Sequence, residues 1–287
     1  MTALILAAVT RERARAERDA RRMAMTLQDS LLAPDLPRLP RVETAAYYRA
    51  AGRDERVGGD FYDLFQSEDG SWALVVGDVC GKGTRAATLT ALARYTLRAV
   101  AARERTPSGV LGLLNEAIIW QRGGESLASV AYVRLEPGGP PVRIQVASAG
   151  HPLPILIRAG GRVEQLGRPG TMLGVQSSPK LWDTAAELGI GDVLLMYSDG
   201  LTDAFAPRRI VTVAELMEVL AGCAGCSPVE VIDTVEERLL AGSRSTPRDD
   251  VAMVAMRLAP TAADPGEPVR LKAEPGRLVG TTEGSRA

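Results

Sequence analysis

Histidine and cysteine are both scarce in this chain. One histidine, His151, and three cysteines occur among 287 residues. A single imidazole excludes zinc sites that need two or more histidines, the HExxH proteases among them. Three cysteines cannot build a disulfide framework, and so few suit a reducing cytosol. Aromatic residues are only 4% of the total, too few for the stacking platforms of single-strand binders. Positive charge is not in excess either. Lys and Arg number 34 against 35 Asp and Glu, for a net charge of −1, so a nucleic-acid surface is not indicated. No run approaches the roughly 20 apolar residues that cross a bilayer. The early apolar run Ala3 to Val9 is followed, not preceded, by Arg11, Arg13 and Arg15, the wrong order for a signal peptide. The chain reads as cytoplasmic, with neither nucleic acid nor membrane as a partner.

What is present is an ordinary globular composition, 46% hydrophobic and 24% charged. It divides into three parts. Residues 1–40 form an N-terminal helix and a proline connector. The stretch from about residue 9 to 32 has no Gly or Pro, and Ala16, Ala20, Met23, Leu27 and Leu31 recur at three- and four-residue steps. That narrow seam suits a homodimeric coiled coil or docking on the chain's own domain, in equal measure. Pro34, Pro37 and Pro40 then stop the helix. Residues 41–258 alternate strands and helices. Residues 259–287 are rich in Pro, Gly and charge and read as a disordered tail.

In the middle part nine segments, from VETAAYYRA to VAMVAMRL, read as strands, many joined by tight turns such as GGPP. Close-coupled strands imply antiparallel sheets. One helix starts at Thr84 and another at Thr106 with Pro107 in its first turn. Thr212 with Glu215 and Ser227 with Glu230 are capping-box patterns. The order suggests a layered α+β domain. Trp72, Trp120 and Trp182 read as core residues.

Four places set Asp at the end of an apolar strand, beside Gly: GGDFYD (Asp60, Asp63), GDVCGKG (Asp78), YSDGLTD (Asp199, Asp203) and PRDDVAMV (Asp249, Asp250). A carboxylate at the margin of a core is costly unless it is paired, and the apolar runs FYDLF, ALVV, VLLMY and VAMVAM beside these acids contain no Lys or Arg to do the pairing. Gathered together, the acids would repel one another. A divalent cation resolves both difficulties, and an all-oxygen donor set selects Mg²⁺ or Mn²⁺ over zinc. GDVCGKG followed by a helix partly fits a dinucleotide loop, but the next 30 residues run helix to helix, without the strand of a βαβ unit.

In this order, GGDFYD, GDVCGKG, AGHPLP, YSDGLTDA and RDDVAMV resemble the SpoIIE/RsbU-type branch of the PPM metal-dependent serine/threonine phosphatases, over roughly residues 41 to 258. The resemblance implies a four-layer α-β-β-α sandwich of two antiparallel sheets flanked by helices, with two Mn²⁺ or Mg²⁺ ions at one end. It makes Asp78 the acid that bridges both metals and the Val79 carbonyl a ligand of one. Asp199 and Asp249 would hold the other metal, with Asp250 able to exchange roles with Asp249. Asp60 would serve the second metal, directly or through water. Asp78 and Asp199 are the principal catalytic candidates. The implied activity is hydrolysis of phosphoserine on a regulatory protein, an anti-anti-sigma factor of the STAS class, in partner-switching control of transcription. A non-catalytic phosphatase-fold binding module and another two-metal phosphohydrolase stay open as alternatives.

Three further features call for a reading. Arg53 and Arg56 precede GGD and are candidates for a phosphate clamp. His151 in SAGHPLPIL reads as a structural residue ordering a Gly-Pro turn, with a general acid as the competing role. Cys223 and Cys226 form a lone CxxC at a helix end, which would need Cys80 and His151 to complete a zinc site.

Overall fold

The structure, a computed structural model, describes residues 35–50, 59–81, 83–122, 126–240, 249–259, 269–274 and 277–278. The expected N-terminal helix, with its dimer seam, lies outside the described residues.

Two sheets are stacked. Strands β2 (Asp60–Gln66), β3 (Trp72–Val79), β4 (Ala128–Leu135), β5 (Val142–Ala149) and β8 (Thr184–Leu188) form an antiparallel sheet in the order β2-β3-β4-β5-β8. The second sheet contains β1 (Val42–Arg49), β6 (Ile155–Ile157), β7 (Val163–Gln165), β9 (Val193–Tyr197), β10 (Val251–Leu258), β11 (Val269–Glu274) and β12 (Arg277–Leu278), in the order β12-β11-β1-β10-β9-β6-β7. Its last two strands fall where composition suggested only disorder, and β11 runs parallel to β1. Helices α1 (Thr84–Ala101) and α2 (Pro107–Arg122) cover the five-stranded sheet. The short α3 (Gly200–Asp203), then α4 (Val213–Ala221), α5 (Pro228–Val235) and a π-helical turn (Glu236–Leu240) cover the other. The result is the α-β-β-α sandwich that the motif order implied.

Strand periodicity explains the layers. Successive side chains alternate faces, so each buried strand feeds two cores. Tyr62, Leu64, Leu74, Val76, Leu194, Met196, Val254 and Met256 meet between the sheets. Their odd-numbered neighbours Phe61, Val75, Leu195 and Met253 face the helices. This double burial is why the strands read as continuous apolar runs.

Local signals hold with two differences. Ser227 makes a full capping box with Glu230. Thr212 caps its helix by accepting from the Glu215 N–H, but the Glu215 carboxylate turns to Arg209 at 2.8 Å, so the box is half closed. Trp120 is the clear departure. It lies on the outer side of α2 and is 89% exposed, not buried.

Candidate metal centre

The same alternation places the acids. Asp60 continues the inter-sheet row of Tyr62 and Leu64, and Asp78 that of Leu74 and Val76. Asp60 and Asp78 face each other directly across β2 and β3, and Ser129 of β4 is the next residue in that row. From the opposite sheet, Asp199 follows the end of β9, and Asp249 and Asp250 lead into β10. Carboxylate oxygens of Asp60, Asp78 and Asp199 lie within 4.8 Å of one another. Residues from distant parts of the chain thus converge at one end of the sandwich because each ends a core strand.

Asp249 and Asp250 border this trio on different sides. Asp249 is exposed and adds repulsion to Asp78 and Asp199. Asp250 is buried and acts on Asp60 and Asp78. The adjacent carboxylates that the sequence left interchangeable therefore occupy distinct environments, a rim position and an inner one.

Electrostatic strain in the cluster is large. Burial first, then Asp199, Asp249 and Asp250, push the Asp78 carboxyl up to about 7. Burial, Asp78 and Asp250 raise Asp60 well above the carboxylate range, opposed by a hydrogen bond from Ser198. Asp199 is raised by burial and by Asp249 and Asp203. Acids so arranged keep their protons to higher pH than free carboxyls do, and a dication would replace those protons.

Gly59 bears on whether the residues present fit such ions. A Cβ there would collide with both Asp78 Oδ1 and the Val79 carbonyl oxygen. A carboxylate and a backbone oxygen from neighbouring residues are thus turned into one small space, kept open by the absence of a side chain. That is an all-oxygen donor set of the kind hard divalent cations take. Gly200 plays a similar part, because a Cβ there would overlap the Asp250 carbonyl. It lets the turn after Asp199 lie against the start of β10.

Ser198 belongs to the centre although the motif pattern does not set it apart. It is fully buried, donates to Asp60 Oδ2 at 2.5 Å and accepts from the Ala252 N–H at 3.0 Å. It fixes one oxygen of Asp60 from the opposite sheet. Its position beside Asp in YSDG was the available signal, but its partner lies 138 residues away.

Asp63 proves to have another role. It points to the helix layer, where Arg98 of α1 pairs with it through Nε at 2.8 Å and Nη2 at 2.7 Å, and Arg94 Nε approaches to 3.3 Å. The pairing charge that the strand lacks comes from the next helix. Asp203 acts on Asp199 from within the α3 turn. Arg53 and Arg56 lie outside the described residues.

His151 is buried beneath the centre. Its Nδ1 shares a 2.7 Å hydrogen bond with Ser129 Oγ, and its carbonyl accepts from Ser148 Oγ at 2.6 Å. Burial pushes its pKa down to about 3, against a smaller opposing effect of the Tyr197 backbone. A neutral ring tied to β4 and β5 supports the structural reading.

An α-β-β-α sandwich that gathers strand-end carboxylates at one edge is the architecture of PP2C-type (PPM) protein serine/threonine phosphatases, and solved PP2C domains share the fold. Residues 68–259 match the family described as Stage II sporulation protein E (SpoIIE). The chain belongs to that family. It is 22% identical over 236 residues to the phosphoserine phosphatase RsbU of Bacillus subtilis, across 82% of this chain and 69% of that one. It is 25% identical over 262 residues to protein IcfG of Synechocystis sp., across 80% of this chain but only 40% of IcfG's length. The solved RsbU and RsbW domains of Rv1364c from Mycobacterium tuberculosis superpose with a TM-score of 0.65 at 28% identity, covering 80% of this chain and 63% of that one. Among the described residues no helix is long and apolar enough to cross a membrane.

Proposed function

We propose that the protein hydrolyses phosphoserine on a partner-switching regulator of the STAS anti-anti-sigma class, with two Mn²⁺ or Mg²⁺ ions held by the strand-end acids. The observation that carries this reading is the convergence of Asp60, Asp78 and Asp199 within 4.8 Å, beside the Val79 carbonyl that Gly59 leaves uncovered. When bound, such ions supply Lewis acidity that makes water nucleophilic near neutral pH and offsets phosphoryl charge.

The chain's own residues divide the remaining tasks. Asp78 lies centrally and would offer its carboxylate to the ions, with the Val79 carbonyl beside it. Asp199 and the rim acid Asp249 would hold one ion. Asp60, steadied by Ser198, would serve the other, with the buried Asp250 acting on Asp60 and Asp78. The phosphatase-fold binding module without turnover is disfavoured because every acid of the motif set is present. Likeness to RsbU supports the choice of a phosphoserine protein as substrate.

The test is release of phosphate from serine-phosphorylated STAS-domain proteins, compared with nucleotides, at matched Mn²⁺. Preference for the phosphoprotein by two orders of magnitude or more in kcat/KM is the expected result. Faster turnover of nucleotides would place the chain among other two-metal phosphohydrolases.

A further inference from the structure

The CxxC motif lies far from the acids and has geometry of its own. Cys223 and Cys226 begin and end the turn between α4 and α5. The Cys226 N–H donates to the Cys223 carbonyl at 3.1 Å, and Gly225 takes φ +79° inside the turn. A hydrogen-bonded four-residue turn holds its end Cα atoms within about 7 Å, and disulfides need about 4.4–6.8 Å. Cys223 is buried in the core between α4, α5 and the seven-stranded sheet, and Cys226 packs against that same core. Both side chains therefore leave the turn on one side. Burial first, with a smaller contribution from the neighbouring Cys226 thiol and opposed by Thr234, pushes the Cys223 thiol up.

The turn does not depend on the thiols. The Gly225 carbonyl accepts from Arg257 Nη1 at 3.0 Å, Arg257 is paired with Glu43 of β1, and Ser227 caps α5. Among the described residues no third Cys, His, Asp or Glu joins the pair as a ligand set, so the zinc reading finds no support. Reactivity is divided between the two sulfurs. Cys226 is half-buried and reachable from solvent, whereas Cys223 is 1% exposed and its thiol lies 3.8 Å from the Val219 carbonyl.

We propose that Cys223 and Cys226 form a reversible dithiol–disulfide site that exchanges with small-molecule disulfides. The Cys226 thiolate attacks one sulfur of the small disulfide, whose S–S bond breaks and releases one thiol. Cys223, having given up its proton, then attacks the Cys226 sulfur of the mixed disulfide and releases the second thiol. The protein loses two electrons and two protons, and the small disulfide is reduced to two thiols. The nearness of Cys223 to Cys226 in the turn makes the second step intramolecular, which shortens the life of the mixed disulfide even though burial raises the Cys223 thiol pKa. The site is a redox-sensitive staple on the corner that carries α5. It lies by Arg257, at the other end of β10 from Asp250, and is independent of the phosphatase reading.

The full-length protein is equilibrated in glutathione buffers from fully reduced to fully oxidised, quenched by alkylation and digested with trypsin. The peptide from Ile210 to Arg238 holds both cysteines and no other. The expected product is that peptide lighter by two hydrogens, exceeding half of the total in the most oxidising buffer and reversed by dithiothreitol. In Cys226→Ser the expected result is that Cys223 takes up no glutathione, with labelling slowed at least tenfold. A persistent glutathione adduct on Cys226, or both thiols still free in the most oxidising buffer, would overturn the proposal.

Discussion

Asp78→Asn separates the cost of the acidic cluster from its use. In the wild-type protein without metal, the Asp78 carboxyl is held at about 7 against an ordinary 3.8. The folded state therefore keeps a proton that the unfolded chain has given up. Stability from this source is fully present below about pH 4 and is lost progressively as pH rises from there to about 7. One group moved that far corresponds to about 4 kcal/mol. The proton is shared with Asp60 and neighbouring acids, so removing one carboxylate should recover about 2–4 kcal/mol at pH 8. An amide does not ionise, and the variant escapes the loss. With EDTA present, Asp78→Asn should match the wild type at pH 4 and exceed it in stability at pH 8. With Mn²⁺ at pH 8 the order should reverse, because a ligand that binds only the folded state stabilises by mass action and the variant lacks the bridging acid. Urea unfolding followed by tryptophan fluorescence, at both pH values in EDTA and at pH 8 in Mn²⁺, measures these differences. If the variant is less stable than the wild type in EDTA at pH 8, or if their difference does not change with pH, the electrostatic reasoning fails.

Four further outcomes are expected. Gly59→Ala puts a methyl group where Asp78 Oδ1 and the Val79 carbonyl converge, so Mn²⁺ affinity measured by calorimetry should fall by 10-fold or more while far-ultraviolet circular dichroism is unchanged. Ser198→Ala frees Asp60 Oδ2; loss of such a supporting bond typically weakens metal binding by about 10–100-fold, and unchanged affinity would remove Ser198 from the centre. His151→Gln should lower the thermal midpoint more than it lowers turnover per folded molecule, and a stable variant that has lost most of its rate would restore the general-acid role. Asp63→Asn replaces the carboxylate that Arg98 holds through two hydrogen bonds with a neutral amide and should cost about 1–3 kcal/mol in urea unfolding, with no change in Mn²⁺ stoichiometry.

Much of this molecule was readable from its residues because its strands are buried on both faces. Nine segments read as strands, most of them as apolar runs, with the edge strand TAAEL an exception, and Asp at the end of such a run is conspicuous. Helix caps at Thr212 and Ser227 were local patterns and were found. What escaped depended on distant partners or on placement within a face. Ser198 looks like any strand-end serine until Asp60 arrives from the other sheet. Asp63 and Asp60 share one motif, yet three residues apart on a strand they face opposite layers, one to α1 and one to the acids. Size and apolarity alone place Trp120 in the core, yet its side of α2 faces outward. The β11 strand was hidden because composition alone cannot show that a sheet edge is available beside β1. The separation of Asp249 from Asp250 required the pleat of β10, which continues Ala252 and Val254 into Asp250 and leaves Asp249 at the rim.

The central claim is that these acids form a divalent-metal centre that hydrolyses phosphoserine. The most direct measurement follows phosphate release from a serine-phosphorylated STAS-domain protein while Mn²⁺ is titrated into EDTA-treated, dialysed protein and bound metal is counted by calorimetry on the same samples. The account predicts no turnover without metal, two ions bound per chain at saturation, and a rate that rises with occupancy and is lost in Asp199→Asn. Turnover that persists in EDTA, or in Asp199→Asn at full Mn²⁺, would contradict it.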